Sequence, residues 1–121
     1  MGDRSFIIIT SKEFKTPISL YGHWSGTDNI EAVKNVLARS GRIGDPSYLT
    51  AQIFYEFAKL GNYDGELSFG IDTFGNEPAT PSFWGVGNNN PVVFVDADTG
   101  EYTYKGTTHT EFMREVTFGI R

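Results

Sequence analysis

Two amphipathic helices written back to back, with strand-like sequence on either side, narrow the folds open to this chain more than anything else in it. The second helix is the better marked. Asp45 is a favoured N-cap type, and Pro46 follows at the first helical position, where its missing N–H costs nothing. Leu49, Ile53, Phe57 and Leu60 then form one stripe, widened by Phe54, and Gly61 ends it. The first helix opens at Asp28, with Glu31 three residues on in the manner of a capping box. Ile30, Val33, Val36 and Leu37 follow at helical spacing, and Gly41 stands where a C-terminal cap belongs. The short link from Gly41 to Gly44 predicts a helix pair packed as a hairpin or a corner.

Strand signals flank this pair. Phe6-Ile7-Ile8-Ile9 is β-branched and continuous, as in a buried strand. Ser11 to Pro17 reads as a polar connection, and Ile18-Ser19-Leu20-Tyr21 alternates as its partner, with Ile18 and Leu20 on one face. Leu67 to Ile71 alternates again. Val92-Val93-Phe94-Val95 reads as a central strand buried on both faces. Asp98-Thr99-Gly100 is a hairpin turn, and Glu101 to Lys105 returns as an edge strand. Thr108 and Glu111 mark a shorter third helix with Phe112, Met113 and Val116. The expected fold is α+β: a mostly antiparallel sheet of about five strands, two helices packed on one face and a short C-terminal helix.

With 121 residues the chain is expected to form one domain, 1–121. Its net charge of −5 argues against general nucleic-acid binding, which needs clustered Lys and Arg, while leaving room for a local basic pocket. There is no cysteine, which removes disulfides and thiolate chemistry and fits a reducing cytoplasm. The apolar run at the N-terminus is too short for a signal-peptide core or a membrane span, so a cytoplasmic location is expected. Between strands, a long irregular segment at 73–91 holds three of the five prolines together with Phe74, Phe83 and Trp84. Disordered segments are poor in aromatics, so this one is expected to pack over the core or over a site.

The candidate site centres on Leu20-Tyr21-Gly22-His23-Trp24-Ser25-Gly26, a glycine-flanked aromatic corner between a strand and a helix. His23 suits a ligand contact or a general base, yet it equally suits a corner wedge bonded to backbone. Ser25-Gly26-Thr27 precedes a helix and offers backbone donors to an anion, although Asp28 and Glu31 compete for them. Arg39 and Arg42 bracket the link between the helices. With Tyr21, Trp24 and the Phe83-Trp84 segment they compose a stacking and anion-pairing set that suits a nucleotide-like ligand; helix-end charges favourable to the dipole are the plainer account. The ligand-binding candidates are therefore Tyr21, His23, Trp24, Ser25, Arg39, Arg42, Phe83 and Trp84. No cofactor or metal is expected, since the chain has no cysteine and no histidine pair at ligand spacing. Asp96-Ala97-Asp98 reads as part of a turn rather than as a calcium loop.

The Leu-Tyr-x-His-Trp-x-Gly stretch, followed by Asp45-Pro46-Ser47-Tyr48-Leu49 opening the second helix, resembles a set of small bacteriophage and prophage proteins. The likeness runs from about Ile18 to Gly106 and takes in Phe69-Gly70-Ile71 and the segment from Asn88 to Asp96. This chain departs from them at Arg42-Ile43, where they carry Arg-Trp, and in the insertion from Glu77 to Gly87. Those proteins have no settled activity, so the resemblance implies a setting, the cytoplasm of an infected host, rather than a reaction. Three readings follow. The first is an accessory binding protein without turnover that antagonises host defence by sequestering a small anionic, nucleotide-like ligand. The second is an inhibitor module that blocks a host protein through its acidic surface and the 73–91 loop. The third is an enzyme built on His23. Homodimerisation is compatible with all three.

Overall fold

The computed structural model describes residues 5–22, 27–39, 41–61, 69–73 and 92–105, and these form five strands and two helices. In chain order these are β1 (Ser5–Thr10), β2 (Ile18–Gly22), α1 (Asp28–Arg39), α2 (Pro46–Leu60), β3 (Phe69–Thr73), β4 (Val92–Asp96) and β5 (Tyr102–Lys105). The sheet order is β3-β2-β1-β4-β5. Three of its four pairings are antiparallel and one, β1 with β4, is parallel. The α+β architecture expected from the sequence is the one observed. The short helix expected after Thr108 and the loop beyond Thr73 lie outside the described residues.

The two continuous β-branched runs become the two central strands. Register pairs Ile7 with Val93 and Ile9 with Val95, and each of these side chains is buried. Strand alternation sends Ile7, Ile9, Leu20, Val93 and Val95 to one face, where they meet Val33, Val36, Leu49, Ile53 and Phe57 from the helices. The intervening residues Phe6, Ile8, Val92 and Phe94 are buried as well, so β1 and β4 are covered on both faces. This is why their sequences read as unbroken apolar runs.

The helix pair travels out and back across one face. Gly22 at the end of β2 pairs with Phe69 at the start of β3, so the chain leaves and re-enters the sheet at the same end. The α1–α2 link therefore sits at the opposite end, where the Gly44 N–H donates to the Ala97 carbonyl at 2.8 Å. Gly44 (φ +92°) and Gly100 (φ +82°) both occupy the left-handed region that non-glycine residues avoid. A Cβ on Gly100 would also stand 2.9 Å from Ile43 Cδ1. At α2 the expected cap position holds but its bonding differs. Asp45 makes no side-chain cap bond, because its carboxylate pairs with Arg42 at 3.0 Å. Gly61 ends the helix at an ordinary φ of −85°. What requires glycine there is the Phe69 ring, whose Cζ would lie 2.6 Å from a Cβ.

Asp98 clamps the carboxyl ends of the two parallel strands. The Ser11 hydroxyl donates to Asp98 Oδ1 and the Lys12 N–H donates to Oδ2, both at 2.8 Å. The Asp98 N–H in turn donates to Asp96 Oδ1 at 2.9 Å, which closes the turn. These contacts join segments more than eighty residues apart in sequence. Asp98→Ala removes both charge-assisted bonds, with an expected cost of about 1–2 kcal/mol. Chemical denaturation should show a lowered midpoint at constant slope. A variant as stable as the wild type would mean that the clamp contributes nothing.

Candidate functional site

Side chains of α2 that the core does not use line up on its outer face. Tyr48, Ala51, Gln52 and Tyr55 recur at helical spacing, turned away from the Leu49, Ile53 and Phe57 stripe. Tyr48 is 58% exposed and Tyr55 is 66% exposed, high values for residues that normally bury most of their ring. With Arg39 from the last turn of α1 and Gly41 from the link, they border a depression of about 450 Å³. That volume lies in the range of small-molecule sites.

Cations decorate both tyrosines. The Arg42 guanidinium lies over the Tyr48 ring at 4.4 Å from its centroid, and Lys59 Nζ lies over Tyr55 at 5.8 Å. Arg39, Arg42 and Lys59 thus gather at one surface of a chain whose net charge is −5. Two carboxylates, Glu56 and Asp45, partly offset them.

Glu56 sets the position of Arg39. Its side chain is only 6% exposed, yet both oxygens are bonded: Arg39 Nη2 donates to Oε1 at 2.8 Å and Asn35 Nδ2 donates to Oε2 at 2.9 Å. Arg39 Nη1 also donates to the Asn35 carbonyl at 3.3 Å. A guanidinium has five N–H donors in a fixed fork. These bonds engage two of them and hold the plane, while the side chain stays 56% exposed beside the depression. The hydrogen bond from Arg39, then that from Asn35, keep the Glu56 carboxyl below its ordinary pKa against the opposing effect of burial.

A lowered folded-state pKa means that the ionised form of Glu56 stabilises the fold. This contribution is complete above the unfolded value of about 4.5 and is lost as pH falls through the lower folded value. Glu56→Gln is therefore expected to reduce stability at neutral pH, and the gap from the wild type should close on acidification below about pH 4.5. Urea midpoints for both proteins across pH 3 to 7, an illustrative window of roughly four pH units, check it. A gap that does not depend on pH would mean that the ionised pair is not the source.

The eight residues picked out from sequence fall into separate groups. Arg39 ends α1 and borders the depression with Tyr48, and Arg42, in the α1–α2 link, lies over the Tyr48 ring. Tyr21 lies elsewhere. It faces the side of the sheet away from the helices, with its ring 6.4 Å from Phe6 and laid across Gly70 of the neighbouring strand. A Cβ on Gly70 would overlap that ring, so Tyr21 covers an edge-strand glycine. His23, Trp24, Ser25, Phe83 and Trp84 lie outside the described residues. Sequence reading missed Tyr48, Gln52, Tyr55 and Lys59. The signal was available, since 48, 52, 55 and 59 share the face opposite the apolar stripe of α2, but aromatics on a helix are ordinarily assigned to a core.

The side chains around the depression can stack, donate hydrogen bonds and pair an anion. Among the described residues no cluster of three or more His, Asp or Glu side chains offers a metal site, and no helix is long and apolar enough to cross a membrane. No family model, curated protein or solved structure matches this chain.

Proposed function

We propose that this protein is a small accessory binding protein that holds an anionic, ring-bearing ligand of the nucleotide type and does not turn it over. The observation that carries this reading is the depression at the α1–α2 surface, where the braced Arg39 stands beside two exposed, cation-backed tyrosines. Arginine pairs phosphate through its fork, and tyrosine supplies a face for a base. The biological setting rests on different support, the Leu20 to Gly26 motif and its resemblance to phage proteins. In that setting a binder without turnover acts in the host cytoplasm by withholding a nucleotide-derived signal from a defence system.

Calorimetric titration with AMP, cyclic AMP and ADP-ribose tests the ligand class. At least one should bind, and chromatography should return it unchanged after prolonged incubation with stoichiometric protein. Arg39→Lys keeps a cation near Glu56 but loses the fork, so it should weaken binding roughly tenfold with little change in melting temperature. No heat from any of the three would sink the reading, and a converted ligand would turn it toward an enzyme. A second reading, docking of a host protein on this surface, is favoured by its Tyr and Arg content, since both types are enriched at interface hot spots. It predicts a complex with a host protein that Tyr55→Ala disrupts while none of the nucleotides binds.

A further inference from the structure

Tyr48 and Tyr55 are seven residues apart on one face of α2, which separates them by about 10.5 Å along the helix axis. Each has a cation over its ring and each keeps more than half of its surface in solvent. Gln52 lies on the same face between them, and Arg39 reaches the same depression from α1. The surface therefore repeats one device, a ring backed by a positive charge, at a depression that a fixed arginine also borders. A mononucleotide uses one such device and leaves the other idle.

We propose that the depression is built for a ligand with two ring systems joined through a phosphodiester, a dinucleotide, held with its bases apart. Stacked bases are spaced about 3.4 Å along a strand, so platforms three times as distant take bases that have left one another's stack. Tyr48 and Tyr55 each receive one base, and the free N–H groups of Arg39 meet the bridging phosphate. The face of each ring opposite its cation is the one that receives the base. A long nucleic acid is disfavoured, because among the described residues three cations gather here and the chain as a whole carries a net charge of −5, which repels polyanions. This inference rests on the nucleotide reading above and narrows it to one class.

The test titrates the intact protein with inorganic phosphate, AMP, the linear dinucleotide pApA and a ten-residue oligoadenylate. The expected order is phosphate weakest, AMP next, and pApA tighter than AMP by about tenfold or more, the gain from a second stacked base. Tyr48→Ala and Tyr55→Ala should each bring pApA down to the affinity of AMP. Each should also lower AMP affinity by about twofold, because one of two equivalent platforms for its base is lost. Both tyrosines are exposed, and an unchanged melting temperature will show that the variants fold. Equal affinity for AMP and pApA would overturn the two-platform inference and leave the nucleotide reading standing. No binding by any probe would overturn both. Oligoadenylate binding more tightly than pApA, with a steep salt dependence, would also overturn the inference and point to a single-strand surface.

Discussion

Phe57→Ala should be the most damaging single change at any position described above, with an expected loss of about 3–5 kcal/mol. Phe57 is fully buried at the middle of the helix–sheet interface. Its ring meets Phe69 of the edge strand β3 edge to face, at 5.2 Å between centroids and 85° between planes. Truncation removes the ring's transfer free energy, opens a cavity in the helix–sheet core, and takes from Phe69 an edge-to-face partner. A domain of this size has about 5–15 kcal/mol of stability in all, so the variant stands close to unfolding. Tyr55→Ala, two residues away on the same helix, is the control. Its ring is exposed, and its loss should cost under about 0.5 kcal/mol. Denaturant midpoints of the two variants, read at equal slope, give the comparison. Similar losses from both would mean that the inward face of α2 is wrongly assigned.

Gly70→Ala should cost about 1–3 kcal/mol, set by how far the phenol end of Tyr21 has to move. The added Cβ overlaps the phenol end of Tyr21, which must shift away from the strand and loosen its packing beside Phe6. If that ring is the cause, its removal should relieve the penalty. Tyr21→Ala has its own cost, but in that background Gly70→Ala should be near neutral, giving a strong coupling in a double-mutant cycle. Additive costs would show that backbone conformation, and not the ring, demands glycine at position 70.

How much of this was readable in advance differs from element to element. Both helices stand where Asp28, Pro46 and Gly61 punctuate the chain, and the two runs of branched apolar residues are the central strands. These follow from local chemistry: a proline that starts a helix, apolar spacing of three and four, and β-branched side chains that suit a pleat. The parallel pairing of β1 with β4 was not readable. It depends on which edge of β1 remains open once β2 has taken the other, a choice made by distant parts of the chain. Asp45 was placed correctly as the residue before α2, yet its carboxylate bonds to Arg42, because a charged partner within reach outcompetes a backbone N–H.

The site divides along the same line. Residue type and order by themselves determined that Arg39 and Arg42 flank a tight link between two helices. Alternation also determined that Tyr21 and Leu20 face opposite sides of a strand. Only the tertiary structure decided which side was which. It turned Tyr21 onto Gly70 and away from the arginines, and it left the Tyr48 and Tyr55 face of α2 uncovered beside Arg39. The physical reason is that helical periodicity reveals which residues share a face, whereas whether that face is buried or open depends on what the remainder of the chain packs against it.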